Sequence, residues 1–271
     1  MKSFCLACVA VLAALSAPLA HAQFQNGGFE QGDLSGWTIG GGSNPGLIGA
    51  PPFTAASIQI NGATPGPASV VGAITDANAP DIMLARIGQH TAKINDENTG
   101  ALITTLKQTV QVTNADIDPA DGLPHIRFAY APVMDDPGHS PEQQPYFYVA
   151  IRRVSDNSIL FEKIAYSGQP DANFLNGSGN WKYLPFQDVD AVLPADAVGE
   201  SIELTVIAAD CSLGGHAGYV YVDGFGSATL PPVTGGASGP KVPVPMLPRE
   251  GLILLACALL SLGLLALRRA S

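Results

Sequence analysis

The sequence predicts an all-β sandwich around a single core of roughly 200 residues. One observation is about eight to ten short segments that alternate apolar with polar side chains or are rich in β-branched residues, the period of a strand. A second is the punctuation: 30 glycines and 22 prolines fall largely between those segments. A third is that no apolar pattern of helical period runs beyond about two turns.

In chain order, Lys2, the apolar run Phe4–Leu15 and the triplet Ala20-His21-Ala22 have the layout of a secretory signal peptide over residues 1–22. The mature chain then starts at Gln23, and the sandwich spans 23–229. Gln25–Trp37 is turn-rich around two aromatic anchors, Phe29 and Trp37. From Ile39 to Pro67 the composition predicts loops with one short strand, Ser57–Ile60. Val70–Ile74, His90–Ile94, Thr105–Thr113 and His125–Ala131 follow as strands, and Pro132–Pro145 reads as a loop. Tyr146–Val154 alternates most clearly, with Phe147, Val149 and Ile151 on one face and Tyr146, Tyr148 and Arg152 on the other. Ser158–Ala165 returns as its hairpin partner through Asp156-Asn157. Trp181–Phe186 and Ser201–Ala208 lead into Asp210–Phe225, a glycine turn feeding a strand with Val220 and Val222 on one face and Tyr219, Tyr221 and Asp223 on the other.

Residues 230–243, rich in Pro, Gly and Ser, read as a flexible stalk. In the tail, 244–271, Gly251–Leu267 is an uncharged run of 17 residues closed by Arg268 and Arg269. At ~1.5 Å per residue it reaches ~26 Å, the span of a thin bilayer core. The arginines place its end on the cytoplasmic side and the sandwich outside. A buried core helix is the alternative, less suited to a segment apolar on every face.

Charge narrows the partners. Residues 23–248 carry 22 acidic against 9 basic side chains, a net of 9 − 22 = −13. Nucleic acid is thereby excluded as a partner, because binding it needs clustered cations. Of four cysteines only Cys211 lies in the sandwich, so there is no disulfide framework. It reads as a buried small apolar residue in preference to a nucleophile.

Asn26–Trp37, N-G-G-F-E-Q-G-D-L-S-G-W, resembles the opening of galactose-binding-type, carbohydrate-binding-module-like jelly rolls. Asp136–Phe147, D-P-G-H-S-P-E-Q-Q-P-Y-F, and Asp210–Asp223, D-C-S-L-G-G-H-A-G-Y-V-Y-V-D, look like paired signatures of bacterial surface proteins. Val244–Gly251, V-P-M-L-P-R-E-G, resembles the IPTL-CTERM sorting tail of Gram-negative bacteria, keeping Val244, Pro245, Leu247 and Gly251 but departing at Met246 and Glu250. These resemblances imply a jelly-roll surface protein whose tail is read by an exosortase-like processing protease. The jelly-roll resemblance also implies a structural calcium ion between first and last strands, held at the positions of Glu30 and Asp223. Carboxylates with turn carbonyls suit calcium's hard-oxygen preference; solvated or amide-paired carboxylates are the alternative.

His139 and His216, with Asp135, Asp136, Asp210 and Cys211, form a metal or hydrolytic site only if two distant loops meet; otherwise both histidines simply brace turns. No nucleophile elbow or helical metal motif occurs, and adjacent Asp135 and Asp136 point apart on extended chain. No catalytic residues are assigned. Tyr146, Tyr148 and Arg152, with Tyr219 and Tyr221, would make a sugar-stacking platform if their strands were neighbours; packed into a core, they would instead be structural. The expectation is an exported, inner-membrane-tethered, non-catalytic protein of the cell surface, for adhesion or glycan binding. A purely structural matrix protein is second, and a metal-dependent hydrolase third.

Overall fold

The computed structural model describes residues 24–232. The expected signal peptide, the stalk beyond Pro232 and the tail with Val244, Pro245, Leu247 and Gly251 lie outside the described residues.

The strands, in order, are β1 (Thr38–Ser43), β2 (Ala68–Val71), β3 (Thr91–Ile94), β4 (Leu102–Gln111), β5 (His125–Asp135) and β6 (Tyr146–Arg153). They continue as β7 (Ile159–Tyr166), β8 (Leu175–Asn176), β9 (Trp181–Tyr183), β10 (Gln187–Val192), β11 (Ser201–Ala209) and β12 (Gly218–Gly226). One antiparallel sheet runs β1-β4-β11-β6-β7; the other runs β2-β3-β12-β5-β9-β8, with β10 also pairing β5. Take β3–β7 and β10–β12 as the first to eighth principal strands. Their order is then first-eighth-third-sixth in one sheet and second-seventh-fourth-fifth in the other, which is a jelly roll of two Greek keys. The chain is the all-β sandwich that its alternation predicts.

Alternation fills the space between sheets. Leu106, Phe147, Val149, Ile151, Leu204 and Val206 meet Ile94, Ile126, Phe128, Val220 and Val222, all 0–1% exposed. Each such side chain contributes about 1.5–3 kcal/mol on burial. An aromatic plug closes one end. Trp37 lies 4.9 Å from Phe225, centroid to centroid, and Phe128 stacks on Phe225 at 5.1 Å.

Both outer faces are roofed as well. Leu47, Phe53 and Ile58 cover Tyr146, Tyr148 and Ile207 on one sheet; Ala79, Ile82 and Leu84 cover Tyr219 and Tyr221 on the other. A strand in such a place is apolar on both sides, so alternation weakens there. That is why His125–Ala131 continues through Pro132–Met134, a segment read as loop from its proline. Pro132 is tolerated because its missing N–H would sit in a gap of the ladder; its carbonyl accepts from Leu184 at 3.1 Å.

Two further segments depart from expectation. Ser57–Ile60 is not a strand; it follows a 3-10 turn over Ala55–Ser57, and only Asn61 makes an isolated bridge, to Ser43. Instead Thr38–Ser43, with three glycines, is β1. Glycine is required there because a Cβ on Gly41 would stand 1.9 Å from the Ile103 carbonyl oxygen, and φ is +146°.

Candidate functional site

Glu30 and Asp223 converge on one segment, 86–90. Asp223 Oδ2 accepts the Ile87 N–H at 2.9 Å, while Glu30 Oε1 accepts the Gln89 and His90 N–H groups at 2.9 and 3.0 Å. The N-terminal turn is held against β12 by Phe225 N–H donating to Gly27 O at 3.0 Å. Gly27 permits that approach, since a Cβ there would lie 2.3 Å from the Phe225 carbonyl oxygen. Asp223 is fully buried, and its Oδ1 makes no hydrogen bond of normal geometry, although the Gly224 and Arg86 amides lie near enough to favour the charged carboxylate. Burial pushes its carboxyl up to about 7, and the neighbouring Glu30 charge adds to this against the Ile87 amide. A buried carboxylate oxygen without a normal hydrogen bond, beside a second carboxylate, is a donor set that fits a hard cation such as calcium.

The tyrosines do not form the expected platform. β6 and β12 belong to opposite sheets, so Tyr146 and Tyr148 face outward on one side of the sandwich and Tyr219 and Tyr221 on the other. All four are 1–2% exposed beneath the covering loops. Three of the hydroxyls are occupied internally: Tyr148 donates to Glu162 at 3.3 Å, and Tyr219 and Tyr221 both donate to buried Asp76, while the buried Tyr146 hydroxyl has no partner among the described residues. Burial, then the Asp76 carboxylate, pushes both of those phenols far above their ordinary range. Arg152 is half-buried and remains apart from the β12 pair. These aromatic rings are core.

A concave surface lies elsewhere. A cleft of about 340 Å³ opens between the loop 51–53 and the end of β7, lined by Pro51, Pro52, Phe53, Tyr166, Gln169 and Asp171 among others. Phe53 meets Tyr166 edge to face at 5.7 Å. Gln169 Nε2 donates to Asp171 Oδ1 at 2.8 Å, which holds the Asp171 carboxyl below its usual range and charged. An apolar wall with an amide and a carboxylate at its rim is the composition of a small-ligand site. Nothing in S-G-Q-P-D-A or P-P-F distinguishes these residues from ordinary turn chemistry, so the sequence reading missed them.

A third locus joins the two loops that the sequence left apart. His139, Cys211 and His216 each offer a donor atom within 4.8 Å of the others. Cys211 Sγ lies 3.6 Å from His216 Nδ1, and the imidazoles of His139 and His216 stand edge to face at 5.2 Å. Asp210 is not among them. Its carboxylate accepts the Leu102 N–H and the Asn95 amide at 3.0 and 2.8 Å, a buried structural node. Asp136 likewise caps its own turn, accepting the Gly138 N–H at 3.1 Å.

Fold and sites together define an antiparallel jelly-roll sandwich with a surface cleft and two ligand-rich loci. No protein family and no curated protein matches the chain. Among solved structures it is similar to the enzymatically active domain of tailspike protein 4 from Bacteriophage CBA120, with TM-score 0.36 and 10% identity, covering 76% of this chain and 21% of that one. It is also similar to a structure described for carbohydrate-binding modules of the β-sandwich superfamily, with TM-score 0.36 and 13% identity over 76% of this chain and 62% of that one. A carbohydrate-binding module specific for non-crystalline cellulose has TM-score 0.34 and 11% identity over 76% of this chain and 94% of that one. The chain thus spans about a fifth of the tailspike chain and 62% of the second. Likeness at this distance assigns no ligand.

Proposed function

We propose that this is an exported, membrane-tethered and non-catalytic surface protein that binds an extracellular glycan or surface polymer. The observation that carries the reading is the cleft of about 340 Å³ beside Phe53 and Tyr166, with Gln169 and Asp171 at its rim. A sugar ring offers apolar C–H faces and equatorial hydroxyls, and such a cleft answers both, with apolar wall for one and amide and carboxylate for the other. Export and tethering rest on the signal-like residues 1–22 and the apolar, arginine-closed tail, with Val244, Pro245, Leu247 and Gly251 as the motif for an exosortase-like protease. Calcium at Glu30 and Asp223 would lock the first turn to the last strand; its role is structural.

The test is retention of the purified full chain on a broad glycan array, with Gln169→Ala and Asp171→Ala beside it. Asp171 is exposed and Gln169 half-buried at the rim, so stability should move by no more than about 1 kcal/mol. Retention of the wild type, weakened at least about tenfold in the double variant, supports the reading; tenfold corresponds to about 1.4 kcal/mol. No retention on any array would leave a purely structural matrix role, which the burial of all four platform tyrosines favours.

A further inference from the structure

The geometry points to a site for a late first-row transition-metal ion, with Zn2+ as its probe, formed by Cys211 Sγ and the imidazoles of His139 and His216. It is separate from the calcium locus and the cleft, and stands whether or not either of those readings survives.

Distance is the first argument. With zinc–sulfur and zinc–nitrogen bonds of about 2.3 and 2.0–2.1 Å, two ligands on a tetrahedral ion lie ~3.6 Å apart. Cys211 Sγ and His216 Nδ1 are 3.6 Å apart. His139 completes three donors that all lie within 4.8 Å of one another, and its half-buried loop imidazole closes by up to about 1 Å to share the same ion.

Preorganisation is the second. His139 and Cys211 lie 72 residues apart in the numbering, yet their loops are stitched by backbone. Ser212 N–H donates to Gln143 O at 3.1 Å, and Asp135 N–H donates to Ala217 O at 2.9 Å. Within the second loop, Cys211 N–H donates to His216 O at 2.9 Å, fixing the cysteine and histidine on one tight turn. In the first, Gln144 Nε2 reaches back to His139 O at 3.1 Å. The ligands are therefore held by the fold before any ion arrives, which removes most of the ordering cost of binding.

Ligand chemistry is the third. One thiolate and two imidazoles are softer than the oxygens calcium and magnesium require, and suit zinc or copper. Cys211 is fully buried while both histidines are half-buried. The thiol is thus shielded from a substrate as a bare nucleophile, but reachable by an ion entering between the rings. Three protein ligands leave one position for water or an external donor.

The purified full chain, stripped of metal, is titrated with Zn2+ and, separately, with Co2+. The expected result is one equivalent bound, with a thiolate-to-cobalt charge-transfer band and the intense visible bands of tetrahedral cobalt. His139→Ala, a loop substitution, should weaken Zn2+ binding at least tenfold, and Cys211→Ser should abolish the charge-transfer band. Uptake without that band, no stoichiometric uptake, or wild-type affinity in His139→Ala would overturn the proposal. The cobalt spectrum of the wild type decides even if Cys211→Ser fails to fold.

Discussion

Asp223 and Asp210 are both fully buried, but their surroundings differ in a way that fixes what each does. Asp210 distributes its oxygens over Leu102, Asn95 and Gly218; burial still raises it to about 6. Asp210→Ala would leave those donors without their acceptor at a cost of about 3 kcal/mol, read as a fall in denaturation midpoint. Asp223 keeps one oxygen without a hydrogen bond of normal geometry. Its carboxyl titrates near 7 in the folded chain, against about 3.9 when unfolded. The folded state therefore holds the extra proton between those values, and stability falls as pH rises from about 4 through about 7, by an amount on the order of 4 kcal/mol in the metal-free chain. A cation bound at Asp223, as proposed, would substitute for that proton. Millimolar calcium should raise the melting temperature at pH 8 and much less at pH 5, and Asp223→Asn should abolish the difference. An equal calcium effect at both pH values would remove Asp223 from the ligand set.

At the scale of elements, β5 and β10 are joined by charge. His125 Nδ1 binds Asp190, and its Nε2 lies 3.1 Å from Asp121; Arg127 pairs with Asp118 and Asp190. Burial pushes the His125 imidazole down, but the two aspartates together outweigh it and leave the net shift upward. The resulting stability is present below the ordinary value of about 6.5 and is lost as pH rises through the raised one. His125→Gln should flatten that part of the pH profile while leaving the Asp223 part intact; an unchanged profile would show that the imidazole is not coupled to folding. β1 offers a steric test. Gly41→Val would drive a side chain into the Ile103 carbonyl and should cost more than about 2 kcal/mol, seen as early amide exchange in β1 and β4.

These elements also show what was legible. β6, β7, β11 and β12 each turn an alternating apolar set toward the core between the sheets and could be read directly, although loops also roof the outer faces of β6 and β12; Val220 and Val222 point inward as their spacing implies. β1 was hidden because glycine carries no pattern. β10 was hidden because Asp188 and Asp190, on its exposed face, are poor strand formers and its inward face carries only Gln187, Val189 and Ala191. Resemblance pairs Glu30 with Asp223 as calcium ligands; the structure sets both against residues 87–90, where backbone amides donate to them. The tyrosine platform failed for a reason alternation cannot express: a period of two tells which residues share a face, not whether a loop roofs it. The meeting of His139 with Cys211 and His216 depends on two loops packing end to end, which no local spacing encodes.

On the scale of the whole molecule, the jelly roll buries aromatic rings on three levels, between the sheets and beneath both roofs. The cleft at residues 51–53 and 164–171 is a concave, partly apolar feature of the described residues that remains open to a ligand. The roofing loop that forms one lip of it is anchored far away, where Asn44 Nδ2 donates to Asp210 O at 2.7 Å and Leu47 N–H donates to Glu142 O at 2.8 Å. A lip held this way is preformed, and binding there should leave the sheets unchanged. Hydrogen–deuterium exchange on the full chain, with and without the best-retained array glycan, locates the binding surface directly. Protection confined to 51–53 and 164–171 is the expected pattern. Protection over β12 and the 76–84 roof, with the cleft unchanged, would show that the glycan is bound elsewhere and that the cleft is not the site.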